Sequence, residues 1–217
     1  MGRGAIPFLG ALLFVALGPA AATTFSAQVS DQDGHPVANA VVMLIPDAKA
    51  SMPAAATRLA GEKIIDQRNE TFIPLVTIVP RGGHIAFANN DSTTHQVYSF
   101  SAAKQFEMTL KRGEKSAPLS FDNTGVAALG CNIHDHMIAY AFVAESPWTA
   151  LTGADGRAVI TDAPPGNYQA QVWHPKFPPG RAPPSLPATL SGDTTQLSAT
   201  IKLLPAPTMS HGHAGSY

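Results

Sequence analysis

The chain has 217 residues, a formal net charge of −1 and 13% charged residues, which removes any electrostatic case for nucleic acid or an anionic membrane as a partner. Nineteen prolines and eighteen glycines, with little 3.6-residue periodicity, predict many short strands joined by turns rather than helices. A single cysteine, Cys131, excludes an internal disulfide and leaves four roles: an intermolecular link, a free thiol, an apolar filler or a metal ligand.

Residues 1–22, MGRGAIPFLGALLFVALGPAAA, set one arginine before an apolar run from Ala5 to Leu17 and end on small residues. That is the layout of a cleaved secretory signal peptide. The run is about a dozen residues, short of the roughly 20 that span a bilayer. The expectation is an exported, periplasmic protein with no membrane span in its mature form. A free thiol is a liability in an oxidising compartment, which favours a capped or metal-bound Cys131.

Residues 25–45, FSAQVSDQDGHPVANAVVMLI, predict two strands flanking the turn signal Asp33-Gly34. An Ala-rich connector (47–62) follows. From Lys63 to about 145 the chain alternates short strands and turns, including HIAFAN (84–89), HQVYSF (95–100), GVAAL (125–129) and MIAYAFV (137–143). This is a compact β-sandwich pattern. RAVIT and YQAQVWH, separated by a Pro-Pro-Gly turn, and a last pair of strands in ATLSGDTTQLSATIKLL fill 147–204, and the tail 205–217 has a disordered composition.

The chemistry concentrates in GCNIHDHMIAY, residues 130–140. Its C-x2-H-x2-M spacing offers a thiolate, an imidazole and a thioether, the soft donors that copper favours in a His2Cys plane with a long axial Met. His95, at the end of the NNDSTTH loop, is the natural second imidazole. His136 competes with Met137 for the axial position, and strand alternation would turn it outward if Met137 turns inward. His84 and His174 are read as structural, and His211 and His213 as part of a solvated tail. Ser, His and Asp occur in DSTTH, but no G-x-S-x-G elbow supports a hydrolase.

The run FIPLVTIVPRGGHIAFANNDSTTH…GCNIHDHM resembles the cupredoxins, the small blue copper proteins, with a ligand loop like the short one of amicyanin. The wider stretch through VWHP also resembles periplasmic proteins labelled methylamine utilisation or plastocyanin-like. The resemblance implies an all-β chain with a Greek-key cupredoxin sandwich (63–145) holding one type 1 copper on His95, Cys131, His134 and Met137. It implies a one-electron carrier, not an enzyme, with a redox protein docking near His134 on a patch formed by Ile133, Met137, Ile138 and Trp148. Two positions depart from the pattern: Gln96 stands where an Asn usually ties the ligand loops together, and AALGC lacks the aromatic that usually precedes the cysteine.

The opening strands and the segment TGADGRAVITDAPPGNYQAQVW resemble a carboxypeptidase-regulatory-like, transthyretin-like sandwich. That implies that residues 23–50 and 147–204 form a second small sandwich with the cupredoxin inserted into it. A non-redox module, carbohydrate-binding-like or a spacer, and a copper delivery protein are the alternative functions.

Overall fold

The computed structural model describes residues 23–47, 58–178, 181–192 and 194–204. The expected signal peptide, most of the connector and the tail lie outside the described residues. The chain is all-β. Sixteen strands are present among the described residues: β1 (Thr23–Asp31), β2 (Val41–Pro46), β3 (Lys63–Arg68), β4 (Thr71–Ile73), β5 (Val76–Pro80), β6 (Gly83–Asn89), β7 (His95–Ser101), β8 (Lys104–Leu110), β9 (Leu119–Phe121), β10 (Gly125–Cys131), β11 (Ile138–Ala144), β12 (Thr149–Leu151), β13 (Arg157–Ala163), β14 (Gly166–Trp173), β15 (Ser185–Leu190) and β16 (Thr194–Ile201). No described helix is long and apolar enough to cross a membrane.

Two sheets, β13-β1-β16 and β12-β2-β14-β15, pack on one core. Two others, β5-β11-β10-β7-β8 and β4-β3-β6-β9, pack on a second. The chain therefore leaves the first pair of sheets after β2, lays down nine strands of the second pair, and returns at β12. Side-chain alternation builds both cores. Phe25, Ala27 and Val29 of β1 face Tyr168, Ala170 and Val172 of β14 in one, and Val97, Ala127, Leu129 and Ala139 meet in the other.

β2 does not alternate, and its position explains why. Its run VVMLI sends Val42 and Leu44 into the first core and Val41 and Met43 to a small apolar cluster with Val76, Phe142 and Ala144. That cluster joins the two sandwiches. A strand covered on both faces needs apolar residues at every position. Trp173 closes the joint, 5.6 Å from both Tyr140 and Phe142 by ring centroid.

The opening segment differs from the expected hairpin. β1 pairs with β13 and, in parallel, with β16, whereas β2 pairs with β12 and β14 in the opposite sheet. After the turn at Asp31–Gly34 the chain makes only an isolated bridge, Ser30 to Pro36. It then buries Val37 and bends through Asn39 at φ 60° before β2 begins. Proline cannot extend a hydrogen-bonded ladder, so the link arches across the core instead of folding back. The final two strands also separate, with β15 on β14 and β16 on β1.

Gly156 locks β1 to the turn before β13. Val29 N–H donates to its carbonyl at 2.8 Å, its φ is +74°, and a Cβ there would lie 2.5 Å from the Val29 carbonyl oxygen. Gly156→Ala is expected to destabilise the protein by about 1–3 kcal/mol, measured by thermal or denaturant unfolding.

Candidate metal centre

Two neighbouring antiparallel strands place the first two donors. In β10 the inward positions are Ala127, Leu129 and Cys131; in β7 they are His95, Val97 and Ser99. Cys131 pairs with Val97, so His95 stands just past it on the same inner face and at the same end of the sheet. The result is a Cys131 Sγ to His95 Nδ1 distance of 3.7 Å, with both side chains buried. His95 is the first residue of β7, as the strand HQVYSF (95–100) predicts, whereas β10 runs two residues past the expected GVAAL and ends on Cys131.

A tight turn supplies the third donor. Met137 N–H donates to His134 C=O at 3.0 Å, and this closure turns the His134 ring inward until its Nδ1 is 3.3 Å from His95 Nδ1. The donor atoms of His95, Cys131 and His134 all lie within 4.8 Å of one another. Nitrogen and thiolate donors about 2.0–2.3 Å from one ion and spread in a plane stand roughly 3.5 Å apart. The two separations from His95 fit one shared ion, and a cysteine with two histidines is a donor set that suits copper or zinc.

Met137 is buried in the same core cluster as Cys131. His136 is half-exposed and lies outside the trio, with its Nε2 3.4 Å from Glu70 Oε2. Its outward direction comes from the 134–137 turn, because β11 begins only at Ile138. Strand alternation, the expected cause, does not operate there.

The carboxylate of Asp91 sets the tautomer of His95. His95 Nε2 is 3.1 Å from Asp91 Oδ2 and 3.4 Å from Thr93 Oγ1. A carboxylate on one ring nitrogen holds the proton there and leaves the other as a lone-pair donor facing the metal position. The backbone N–H of Glu70 (2.6 Å) and that of Ser92 (2.7 Å), with the His95 contact, hold the Asp91 carboxyl at about 2, well below the usual carboxylate range. A depressed carboxyl stabilises the folded state above its ordinary value near 4 and loses that contribution only as the pH falls through about 2. Asp91 therefore stays ionised at any ordinary pH.

Asn89 shapes the loop. Its buried side chain donates to the carbonyls of Thr93 (2.8 Å) and Leu110 (2.9 Å) and accepts the Asp91 N–H at 3.0 Å. Neither Asn89 nor Asp91 was singled out by sequence. The available signal was the density of Asx and Thr residues in NNDSTTH, residues that bond to nearby backbone. Asp91→Asn is expected to weaken metal binding by roughly 10–100-fold, measured by competition with a chelator.

Both departures from the resemblance have structural counterparts. Gln96 points outward to the Glu107 carboxylate, and the two ligand segments are tied through the backbone, Asn132 N–H to Gln96 C=O at 3.2 Å. The aromatic missing before Cys131 is replaced from the adjacent strand. Tyr98 lies over Gly130, where a Cβ would come within 2.6 Å of its ring.

The expected docking patch needs correction. Ile133 and Ile138 are exposed, but Met137 is buried, and Trp148 is buried in the other sandwich, where its Nε1–H donates to Asp162 C=O. β11 runs the length of the sheet between Met137 and Trp148 and carries the chain away from the site. His174 is buried and accepts the Lys176 N–H at 3.0 Å, and burial pushes its pKa down. His84 is exposed on β6, opposite Ser120. Asp31, Asp33 and His35 also bring donor atoms within 4.8 Å of one another, at an exposed turn. There one Asp31 oxygen already accepts the N–H groups of Asp33 and His35.

Fold and site together define an all-β chain in which one cysteine and two histidines form a cluster that can hold a metal ion. No protein-family model matches the sequence, and a search of curated proteins finds no significant match. Solved structures similar to part of this chain include a purple cupredoxin from Nitrosopumilus maritimus, 23% identical over 39% of this chain and 99% of its own, with a TM-score of 0.34. Amicyanin from Paracoccus versutus is 14% identical over 47% of this chain and 98% of its own, with a TM-score of 0.35. A reduced amicyanin variant is 19% identical over 47% of this chain and 99% of its own, with a TM-score of 0.35.

Proposed function

We propose that the protein is an exported, periplasmic type 1 copper protein that carries single electrons and catalyses no reaction of its own. The observation that carries this reading is the convergence of three donors on one point. His95 Nδ1 lies 3.7 Å from Cys131 Sγ and 3.3 Å from His134 Nδ1, and all three atoms lie within 4.8 Å of one another. Residues 63–145 act as the metal-holding unit, inserted into a second sandwich built from 23–50 and 147–204.

Copper bound there would supply the Cu(II)/Cu(I) couple. Cys131 provides the thiolate, held by β10 in the dry core. His95 is fixed by Asp91 and closed off from solvent. Met137, buried in the same core cluster as Cys131, would be the fourth residue to hold the ion and would supply a weak thioether donor that tunes its potential. His134 is the one ring of the trio that is not fully buried, which makes its edge the exit for an electron. A rigid, mostly buried donor set suits a carrier, because little has to reorganise when the charge changes.

Exposed Ile133 and Ile138 near this edge suit a small, transient contact with a redox partner. The resemblance to methylamine-utilisation proteins does not extend to a substrate. The test is a copper titration followed by repeated chemical reduction and reoxidation. One copper per chain, cycled without loss to a metal-free acceptor protein, is expected. Transfer of copper to the acceptor without redox cycling would instead make the chain a delivery protein, and no stoichiometric copper would make it a non-redox module.

A further inference from the structure

The geometry points to Glu70 as a positioning residue that holds both metal-facing histidines and sets the reduction potential of the site; this rests on the copper reading above. Glu70 lies in the two-residue turn between β3 and β4, closed by the pair Arg68–Thr71. Its backbone N–H donates to Asp91 Oδ2 at 2.6 Å, and the same oxygen is 3.1 Å from His95 Nε2. Its side chain reaches the other ligand: Oε1 is 3.5 Å from His134 Nε2, and Oε2 is 3.4 Å from His136 Nε2. One residue thus braces His95 through its main chain and His134 through its carboxylate.

The backbone supplies an independent reason to single it out. Asn69 and Glu70 have φ of 48° and 52°, the positive values required at both central positions of a tight hairpin turn, where Asn-Gly is preferred. Asn69 fits that preference and Glu70 does not. A side chain longer than Asn in this conformation is strained, and strain of this kind collects at functional sites. A glycine would make the better turn but would leave His134 Nε2 and His136 without their carboxylate.

Two consequences follow for the site. A carboxylate 3.5 Å from His134 Nε2 favours, through its charge, a proton on that nitrogen and the Nδ1 lone pair toward Cys131 and His95. Its negative charge, at the least buried side of the cluster, favours the more positive, oxidised metal and lowers the potential.

Glu70→Gln keeps the shape and removes the charge, and Glu70→Gly relaxes the turn. In copper-loaded protein, Glu70→Gln is expected to shift the redox equilibrium toward Cu(I) by about tenfold, 59 mV for one electron, with the visible band retained. Glu70→Gly is expected to raise the melting temperature of the metal-free protein while weakening copper binding, opposite signs that a purely structural role would not give. An unchanged potential in Glu70→Gln, or a lower melting temperature in Glu70→Gly, overturns the assignment. If the wild-type chain takes up no copper, the copper reading fails, and Glu70 is judged on metal-free protein by nitrogen NMR of its histidines. His134 held in the Nε2–H form in wild type, and mixed in Glu70→Gln, supports the positioning role; the same tautomer populations in both overturn it.

Discussion

Cys131→Ser is expected to lower copper affinity by more than about 100-fold while leaving the metal-free protein folded. Changes around a metal ligand typically cost 10–100-fold, so loss of a soft anionic donor costs more. A serine hydroxyl is nearly the same size, but it is hard and stays protonated at neutral pH. Cys131 is buried among Leu129, Met137 and Ala139, so the buried hydroxyl should cost about 1–3 kcal/mol of stability. His95 Nδ1 is 3.7 Å from the sulfur, and the shorter C–O bond of serine leaves the new hydroxyl outside hydrogen-bond range, which keeps that cost at the high end. Chelator competition and denaturant unfolding of the same variant separate the two effects.

The second large effect falls on the other sandwich. Trp148→Ala should destabilise the protein by about 3–5 kcal/mol, the range for large-to-small changes at a buried aromatic. The indole stands edge-on to Tyr168 at 5.7 Å and 88°, and its Nε1–H donates to Asp162 C=O at 3.2 Å. Truncation opens a cavity between the two sheets of that core and leaves the carbonyl unpaired. None of these partners belongs to the core that contains Cys131 and Met137. Copper affinity of the folded Trp148→Ala protein should therefore stay within about twofold of wild type, as expected for distant sites without shared partners. A large loss of affinity would mean that the two sandwiches do not behave as separate cores.

The candidate donor trio was legible from residue type and spacing, and the structure brings His95, Cys131 and His134 together through strand alternation, a local rule. In the structure the alternation of GVAALGC and HQVYSFS puts Cys131 and His95 on inward faces, and the short C-x2-H-x2-M run keeps His134 within a turn's reach. The outward direction of His136 was foreseen for the wrong reason, since a turn and not a strand orients it. Glu70 escaped notice because its role arises from contact between the β3–β4 hairpin and a loop about twenty residues further on. Asn89 and Asp91 did so because their roles lie in side-chain contacts to Thr93, Leu110 and His95 that spacing does not show. Trp148 misled by proximity in sequence, being eleven residues after Met137 but at the far end of a strand that leaves the site. The opening segment carried a good turn signal at Asp33-Gly34, yet Pro36 and the second buried face of β2 sent the two strands to opposite sheets.

The visible and EPR spectra of the protein loaded with one equivalent of Cu(II) test the central claim most directly. An intense thiolate-to-copper charge-transfer band at one copper per chain, absent in Cys131→Ser, is the expected result. A colourless protein, or a tetragonal Cu(II) signal from nitrogen and oxygen donors alone, would place the metal away from Cys131 and contradict the account.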